Sequence, residues 1–378
     1  NVRALNLKTD SVQLKHIIPF KMDDLHVSID SLEYQLPGDQ LFLLSGMRYN
    51  LREKELLFNG LSLKYTKDWV RVSQQIKVQK DMIELELKEL KFENLEPSSS
   101  FYSQLDINAE KVTINELQIA FRKNKNFDRP PDEYKPTFRG MINSIPIELN
   151  IDSILIQNSA ITYSELGVNK SKSGSIDITD INASIAGVTN MPQQQQRVGK
   201  ALMKMEALLV GQSRLTTMLS IPYDKDAFSM SVNTTAMDLV KLNPTTKPLA
   251  GVDIISGQLH KIDFQMEGSE NRANNTLIFD YQNLDLKIIS DKGEKKGGMT
   301  FITTGGLSID FPKGESTIYY AATEDCSIHK CSVVRFVGHT SSSAAFVPIV
   351  QAGKRYCCHS YLPRDTSHLP AMETRFCH

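Results

Sequence analysis

Residues 147–163 read IELNIDSILIQNSAITY, and apolar side chains alternate with polar ones along much of this stretch. A period of two is typical of a β-strand with one buried face. Within the stretch, Leu149 and Ile151 are followed after a gap of three by Ile154 and Ile156. Such a gap would turn the second pair to the opposite face of a regular strand. The stretch therefore predicts a strand that contains a β-bulge, or bends, so that both apolar pairs face one side.

The same apolar spacing occurs in five more stretches, which are residues 27–34, 85–92, 107–114, 176–183 and 279–286. Turn-forming residues separate them, and no long amphipathic helices alternate with the strands as βαβ units require. We therefore predict an all-β fold, an elongated and strongly curved antiparallel repeat sheet that forms a trough or groove. The alternative is chance alternation in ordinary β sequence.

Only one or two short helices are expected. Residues 238–243 predict a short turn or helix that ends at Pro244, because the residue before a proline disfavours helical geometry. Residues 193–211 are ambiguous, since their apolar residues fit both a helical stripe and a strand face. Residues 124–138 contain two consecutive prolines and many charges, which predicts an exposed loop between strands.

Composition limits the classes of partner. The chain has 43 basic and 44 acidic residues, for a net charge of -1. This balance gives no overall electrostatic footprint for nucleic acid. The sequence contains no run of 18 apolar residues, so it predicts no membrane-spanning helix. The chain begins at Asn1 without a signal-peptide pattern, which we interpret as a fragment whose upstream anchor is missing.

No motif in the chain indicates catalysis. A phosphate-binding glycine loop, a nucleophile elbow and a zinc-protease motif are all missing from the sequence. The carboxylates occupy alternate strand positions, as on a solvated sheet face. The sequence therefore predicts a protein that is not an enzyme, with no catalytic residue, metal site or cofactor.

The last 53 residues differ from the rest. They hold all five cysteines, Cys326, Cys331, Cys357, Cys358 and Cys377, together with five of the eight histidines. Thiolates and imidazoles suit zinc, but no pair has the spacing of a known zinc motif, and an odd number of cysteines does not suit a disulfide framework. A shifted reading frame, a disordered tail and a metal or disulfide site remain as alternatives.

Part of the amino-acid sequence is similar to that of a known family. Residues 147–163 and 174–183 resemble the strand–turn–strand unit of AsmA-like envelope proteins. Residues 237–244 (MDLVKLNP), with 248–252 and 256–259 (SGQL), resemble that family's C-terminal signature, a short helix and then a strand that opens with Ser-Gly. The resemblance covers about residues 1–300 and is clearest at 145–290.

The resemblance implies a bacterial member of the bridge-like lipid transfer superfamily. It predicts three parts: residues 1–144 as the N-terminal part of the sheet, 145–305 as the AsmA-like C-terminal β region, and 306–378 as an atypical Cys/His-rich tail. The implied function is to bind or conduct lipid along an apolar β-trough, for outer-membrane lipid homeostasis. The alternative is a structural or adhesin-like β-repeat scaffold whose apolar rows are a sealed core.

The resemblance also implies partners and a place in the cell. Phospholipid or another acyl lipid is the expected ligand, and inner- and outer-membrane proteins are possible partners. The full-length protein is expected in the periplasm of a Gram-negative bacterium, associated with the inner membrane. The residues expected to line the lipid groove are Leu149, Ile151, Ile154, Ile156, Phe279 and Tyr281.

Overall fold

The structure is a computed structural model. It describes residues 1–15, 19–96, 106–130, 136–269 and 273–288, and the backbone of 307–310, 316–321 and 336–339. Strands make up 64% and helices 13% of it. The predicted all-β class and the open sheet are therefore confirmed. All five cysteines of the tail lie outside the described residues, so the alternatives for that region remain untested.

The strands belong to one sheet. Their bounds are Val2–Leu5 (β1), Asp24–Ile29 (β2), Leu32–Leu36 (β3), Gln40–Leu44 (β4), Met47–Asn50 (β5), Glu55–Tyr65 (β6), Asp81–Leu95 (β7), Asp106–Asn124 (β8), Glu148–Leu166 (β9), Ser173–Thr189 (β10), Lys200–Leu209 (β11), Ser213–Pro222 (β12), Ala227–Thr234 (β13), Met237–Asp238 (β14), Val252–Ser269 (β15), Ala273–Ile288 (β16), Leu307–Asp310 (β17), Ser316–Ala321 (β18) and Phe336–His339 (β19).

The strands pair mostly in chain order. From β6 to β13 each strand pairs with the next, and β15 and β16 continue the sheet. β4 and β5 both pair with one side of β6. One pair departs from the predicted antiparallel pattern, because β8 and β9 run parallel. A parallel neighbour requires a crossover. The connection from β8 to β9 begins in the segment predicted as a loop, residues 124–138, and continues through the helix Phe138–Asn143.

The described residues contain four short helices rather than one or two. They are Trp69–Ile76 (α1), Phe138–Asn143 (α2), Pro192–Val198 (α3) and Asn243–Ala250 (α4), and Gln13–Lys15 and Leu239–Leu242 form 3-10 turns. The predicted short turn is present as the 3-10 turn Leu239–Leu242, but helical geometry does not stop at Pro244. α4 begins at Asn243 and has Pro244 in its first turn, where the missing N–H of proline has no intrahelical partner to lose.

The gap of three in the apolar spacing coincides with a β-bulge in β10. Asp180 has a left-handed backbone (φ 50°), and the pairing with β9 shifts between Ile178 and Ile181. Ile178 and Ile181 belong to the same apolar cluster, so both face one side. The predicted bulge is therefore present in this strand. Asparagine and aspartate tolerate this backbone region better than most residues other than glycine.

Bulges in neighbouring strands lie side by side. Gly60 in β6, Glu116 in β8, Asn158 in β9 and Asp180 in β10 all have positive φ. The pairing registers place them next to one another, with Lys88 of β7 between Gly60 and Glu116. The strands consequently bend together along one line, and the apolar residues on both sides of this line share a face.

A second line of the same kind crosses β7 to β10. Asn94 (φ 50°) and Gly187 (φ 72°) mark its two ends, with Glu110 and Asp152 between them. Here the pairing resumes beyond the line without a register shift. Ile151 and Ile154, which flank Asp152, pack in one apolar cluster.

Candidate functional site

The most prominent feature of the sheet is a face on which apolar side chains form rows across the strands. Two rows lie where the pairing registers place residues directly opposite one another. The first row consists of Leu56, Phe92, Val112, Ile154, Ile185, Met203, Leu219, Met230 and Met266. The second consists of Phe58, Leu90, Ile114, Ile156, Ala183, Met205, Thr217, Val232, Phe264 and Leu277. We call the side of the sheet that carries both rows the apolar face.

A further row lies on the other side of the first line of bulges. It consists of Phe42, Leu63, Leu85, Ile119, Ile161, Ile178 and Leu209. Ile156 of the second row and Ile161 of this row pack in the same cluster, so the bulge at Asn158 keeps both on the apolar face. The bulges therefore join short apolar segments into one continuous surface.

The opposite side, which we call the polar face, carries mostly polar and charged residues. One of its rows consists of Lys91, Thr113, Leu155, Ser184, Lys204, Met218, Ser231, Gln265 and Thr276. Its charges pair across strands: Lys91 Nζ lies 2.9 Å from Glu55 Oε2, and Lys111 Nζ lies 3.1 Å from Glu93 Oε2. The hydrogen bond with Glu55 raises the pKa of Lys91 above its ordinary value.

The two faces differ in exposure. In β11 to β13, Met203, Met205, Met230 and Val232 of the apolar face are half-buried, whereas Lys204, Glu206 and Asn233 of the polar face are exposed. The cluster that buries Ile181, Ala207 and Leu215 in the middle of the apolar face consists entirely of strand residues. Strands of the sheet, rather than a helix, therefore bury these side chains.

One border of the apolar face is formed by α2 and α3. Phe138 of α2 packs edge-on against Phe228 of β13, with ring centroids 5.0 Å apart. Ile142 of α2 and Val198 of α3 join the same cluster, which also contacts Met203, Met230 and Met266 of the first row.

Tyr223 anchors the sheet beside this border. Its hydroxyl donates to the carbonyl of Gly187 at 2.8 Å and accepts from the backbone N–H of Thr189 at 3.1 Å. Burial raises the pKa of this phenol.

The other border is formed by the 3-10 turn Leu239–Leu242 and by α4. Leu239 and Val240 pack in a cluster with Met237, Ile254 and Tyr281. α4 lies between the unpaired edges of β10 and β15. Its Asn243 side chain accepts from the N–H of Ile254 at 2.8 Å and donates to its carbonyl at 2.9 Å. On the other side of the helix, the Thr245 hydroxyl donates to the Ser175 carbonyl.

A helix therefore takes the place of missing strand partners. Gly174 of β10 permits this approach, since a Cβ built there would lie 2.6 Å from Leu249 Cγ and 3.0 Å from the Thr245 carbonyl.

Charged residues border the apolar face at the end of β9. The Glu165 carboxylate accepts from the Tyr163 hydroxyl and from Lys125 Nζ, both at 2.7 Å. Burial and then the hydrogen bond to Glu165 raise the pKa of Tyr163 well above its usual value. Lys123, one strand away, pairs with Asp81 at 2.8 Å. These charged pairs lie outside the three apolar rows, none of which contains a charged residue.

The six predicted lining residues all lie on the apolar face, but they divide into two groups. Leu149, Ile151 and Tyr281 are buried in packed clusters, with 8%, 6% and 5% of their surface exposed. Ile154, Ile156 and Phe279 are half-buried, and the first two belong to the rows described above. Whether any of them contacts a ligand stays a prediction.

Sequence reasoning missed the methionines of the apolar face. Met203, Met205, Met230 and Met266 lie in the central part of the rows. The alternation of Ala201, Met203, Met205 and Ala207 was visible, but other apolar residues of the same stretch fitted a helical stripe. The structure resolves the ambiguity in favour of the strand, because Lys200–Leu209 form β11 and the helix α3 covers only Pro192–Val198.

No group of His, Cys, Asp and Glu residues that could hold a metal is present in the described parts of the chain. Among the helices that are described, none is both long and apolar enough to span a membrane. A groove of about 510 Å³ opens on the polar face, beside Leu155, Lys204, Glu206 and Met218. Its lining carries both signs of charge, from Lys204 and Glu206.

A scan against models of known protein families finds no match for this chain, and a search of curated proteins finds none either.

Proposed function

We propose that the protein is a non-enzymatic lipid-binding protein that holds or conducts acyl chains along its apolar face. One observation carries the proposal: the second apolar row runs across ten strands, and it contains no charged residue. Ten strands at about 4.8 Å spacing give a row about 43 Å long. The hydrocarbon core of a whole bilayer is about 30 Å thick, so the row is long enough to accommodate the acyl chains of a phospholipid at full length.

The exposure of the rows supports an open surface in their central part. All members of the second row except Ala183 are half-buried. A sealed core of this size would bury most of them almost completely. Contiguous apolar surface that remains accessible to solvent marks sites for ligands, membranes or partner proteins. Acyl chains laid along the rows would remove this surface from water, which is the driving force for binding.

The resemblance to AsmA-like proteins gives the proposal its biological setting. On this proposal the ligand is a phospholipid or another acyl lipid, and the protein acts in the periplasm of a Gram-negative bacterium. Membrane proteins of the inner or outer membrane would then deliver or receive the lipid.

The second candidate is a scaffold whose apolar face is a sealed core. The clusters around Ile151 and Tyr281 favour it locally, because their residues are buried as in an ordinary core. The two candidates differ in the central part of the rows, where a scaffold has no use for accessible apolar surface.

Native mass spectrometry of the purified chain separates the two candidates. We expect masses that exceed the polypeptide by one or more lipid molecules, with phospholipid identified in a solvent extract. We also expect a delipidated sample to take up lipid again from detergent micelles. A bare polypeptide mass in both experiments would contradict lipid binding and favour the scaffold.

A further inference from the structure

An arginine with no partner lies at the α2 border of the apolar face. Arg139 follows Phe138 in α2 and is itself half-buried. Its Nε is buried and has no hydrogen-bond partner. Phe138 and Ile142 hold α2 on the cluster that contacts the methionines of the first row. Arg139 therefore belongs to a helix that packs at the border of the apolar face, and its Nε is shielded from solvent while the residue as a whole stays half-buried.

Several other arginines of the described residues are paired, whereas a buried guanidinium nitrogen without a partner is found at Arg139. Arg122 Nε lies 2.9 Å from Glu84, and Arg197 Nη2 lies 3.6 Å from Asp152. The carboxylate of Asp226 lies at the start of α2, but it does not pair with Arg139. It accepts a hydrogen bond from the hydroxyl of Thr137 at 2.7 Å. No carboxylate of the described residues forms an ion pair with Arg139.

A buried guanidinium nitrogen without an acceptor is unfavourable, because it has lost water and gained nothing in return. A buried polar group without a partner in a folded protein indicates that an ion, a water molecule or a ligand occupies the position of the partner. A guanidinium presents a planar fork of N–H donors that matches the oxygens of a phosphate, and the pairing is stronger than a neutral hydrogen bond.

We propose that Arg139 binds the phosphate group of a phospholipid whose acyl chains lie on the first apolar row. This inference rests on the proposed lipid-binding function and specifies its substrate class. The phosphate stays at the helical border, where water is available, and the acyl chains extend over Met203, Met230 and Met266. The protein then prefers lipids with a phosphate over neutral lipids with the same acyl chains.

The test compares two lipids that differ in the headgroup. The delipidated full chain is mixed with equal amounts of dioleoylphosphatidylglycerol and dioleoylglycerol in detergent, and the bound species are counted by native mass spectrometry. We expect the wild-type chain to prefer the phospholipid by about tenfold or more, as expected of a charge-assisted hydrogen bond. Arg139→Gln should lose this preference and still take up dioleoylglycerol.

Two further variants complete the test. Arg139→Lys keeps the charge without the planar fork, so its preference should fall several-fold without vanishing. Arg197→Gln, on the neighbouring helix α3, removes an exposed arginine that is already paired and should behave as the wild type. The melting temperature of Arg139→Gln should equal or exceed that of the wild type, because an unpaired cation is removed.

Each outcome has a distinct meaning. A preference that survives in both Arg139 variants, or equal uptake of both lipids by the wild type, overturns the phosphate site and leaves lipid binding intact. Uptake of neither lipid by the wild type contradicts the proposed function as well. Inorganic phosphate alone distinguishes a free anion as the ligand: if it raises the melting temperature through Arg139 while the lipid preference is missing, the assignment to a phospholipid is wrong.

Discussion

The variant Ile151→Asp is expected to unfold the protein at room temperature or to leave it barely folded. Ile151 is 6% exposed and packs with Val112, Ala109 and Leu149 between β8 and β10. The substitution removes a buried aliphatic side chain and places a carboxylate among apolar ones without a partner. We expect a loss of about 5 kcal/mol in the free energy of unfolding, which is a large part of the stability of an ordinary domain.

The adjacent residue provides the control. Asp152 lies on the opposite side of the strand, its side chain is 53% exposed, and it pairs with Arg197 at 3.6 Å. An exposed pair of this kind contributes little, so Asp152→Ala should cost less than about 1 kcal/mol. Urea denaturation of the three proteins measures both effects. A melting temperature of Ile151→Asp within a few degrees of the wild type would show that this cluster is not a packed core.

Met205→Glu is expected to act in a different way, by removing bound lipid while the fold survives. Met205 is half-buried in the second row, where a glutamate can turn its carboxylate toward water. The stability loss should therefore be about 1 to 2 kcal/mol, as for many single substitutions. A charge beside an acyl chain costs about 2.5 kcal/mol or more, so the amount of bound lipid should fall by at least about tenfold.

Met218→Glu is the matched control, since it makes the same substitution on the neighbouring strand. Met218 is 47% exposed on the polar face, opposite Lys204. It should bind as much lipid as the wild type. Lipid phosphorus and fatty-acid content per protein, measured together with the melting temperature, checks both variants. Full lipid content in folded Met205→Glu would exclude the second row as the binding surface.

The alternation of residue types was enough to predict the sheet. Residues such as Ile176, Ile178, Ile181 and Ala183 have the spacing of a strand interrupted by one extra residue, and a bulge at Asp180 accounts for it. This information is local, because the side-chain period and the preference of aspartate for turns and left-handed backbone act within a few residues.

The parallel pairing of β8 with β9 could not be predicted in the same way. Nothing within either strand distinguishes a hairpin neighbour from a parallel one, and the choice depends on the route of residues 125–147. The continuation of helical structure through Pro244 was missed for a related reason. A proline is compatible both with the end of one helical segment and with the first turn of the next, and here α4 begins at Asn243, directly after the 3-10 turn Leu239–Leu242.

The candidate site was predictable in type and only partly in position. Leu149, Ile151, Ile154 and Ile156 have the same pattern in the sequence, yet the first two are buried and the last two are half-buried. The difference arises from the packing of Ile145 and Val188 beside one end of β9, which the pattern does not contain. The rows themselves depend on the registers of ten strands, which are non-local.

The central claim is that lipid lies on the apolar face, and site-specific photo-crosslinking tests it most directly. Val232 and Ser231 are neighbours in β13 that point to the apolar and the polar face respectively. A benzophenone amino acid at each position, in the full chain loaded with phospholipid and irradiated, reports which face the lipid touches. We predict a lipid adduct from position 232 and little or none from position 231. Equal labelling at the two positions, or adducts from 231 alone, would contradict the account.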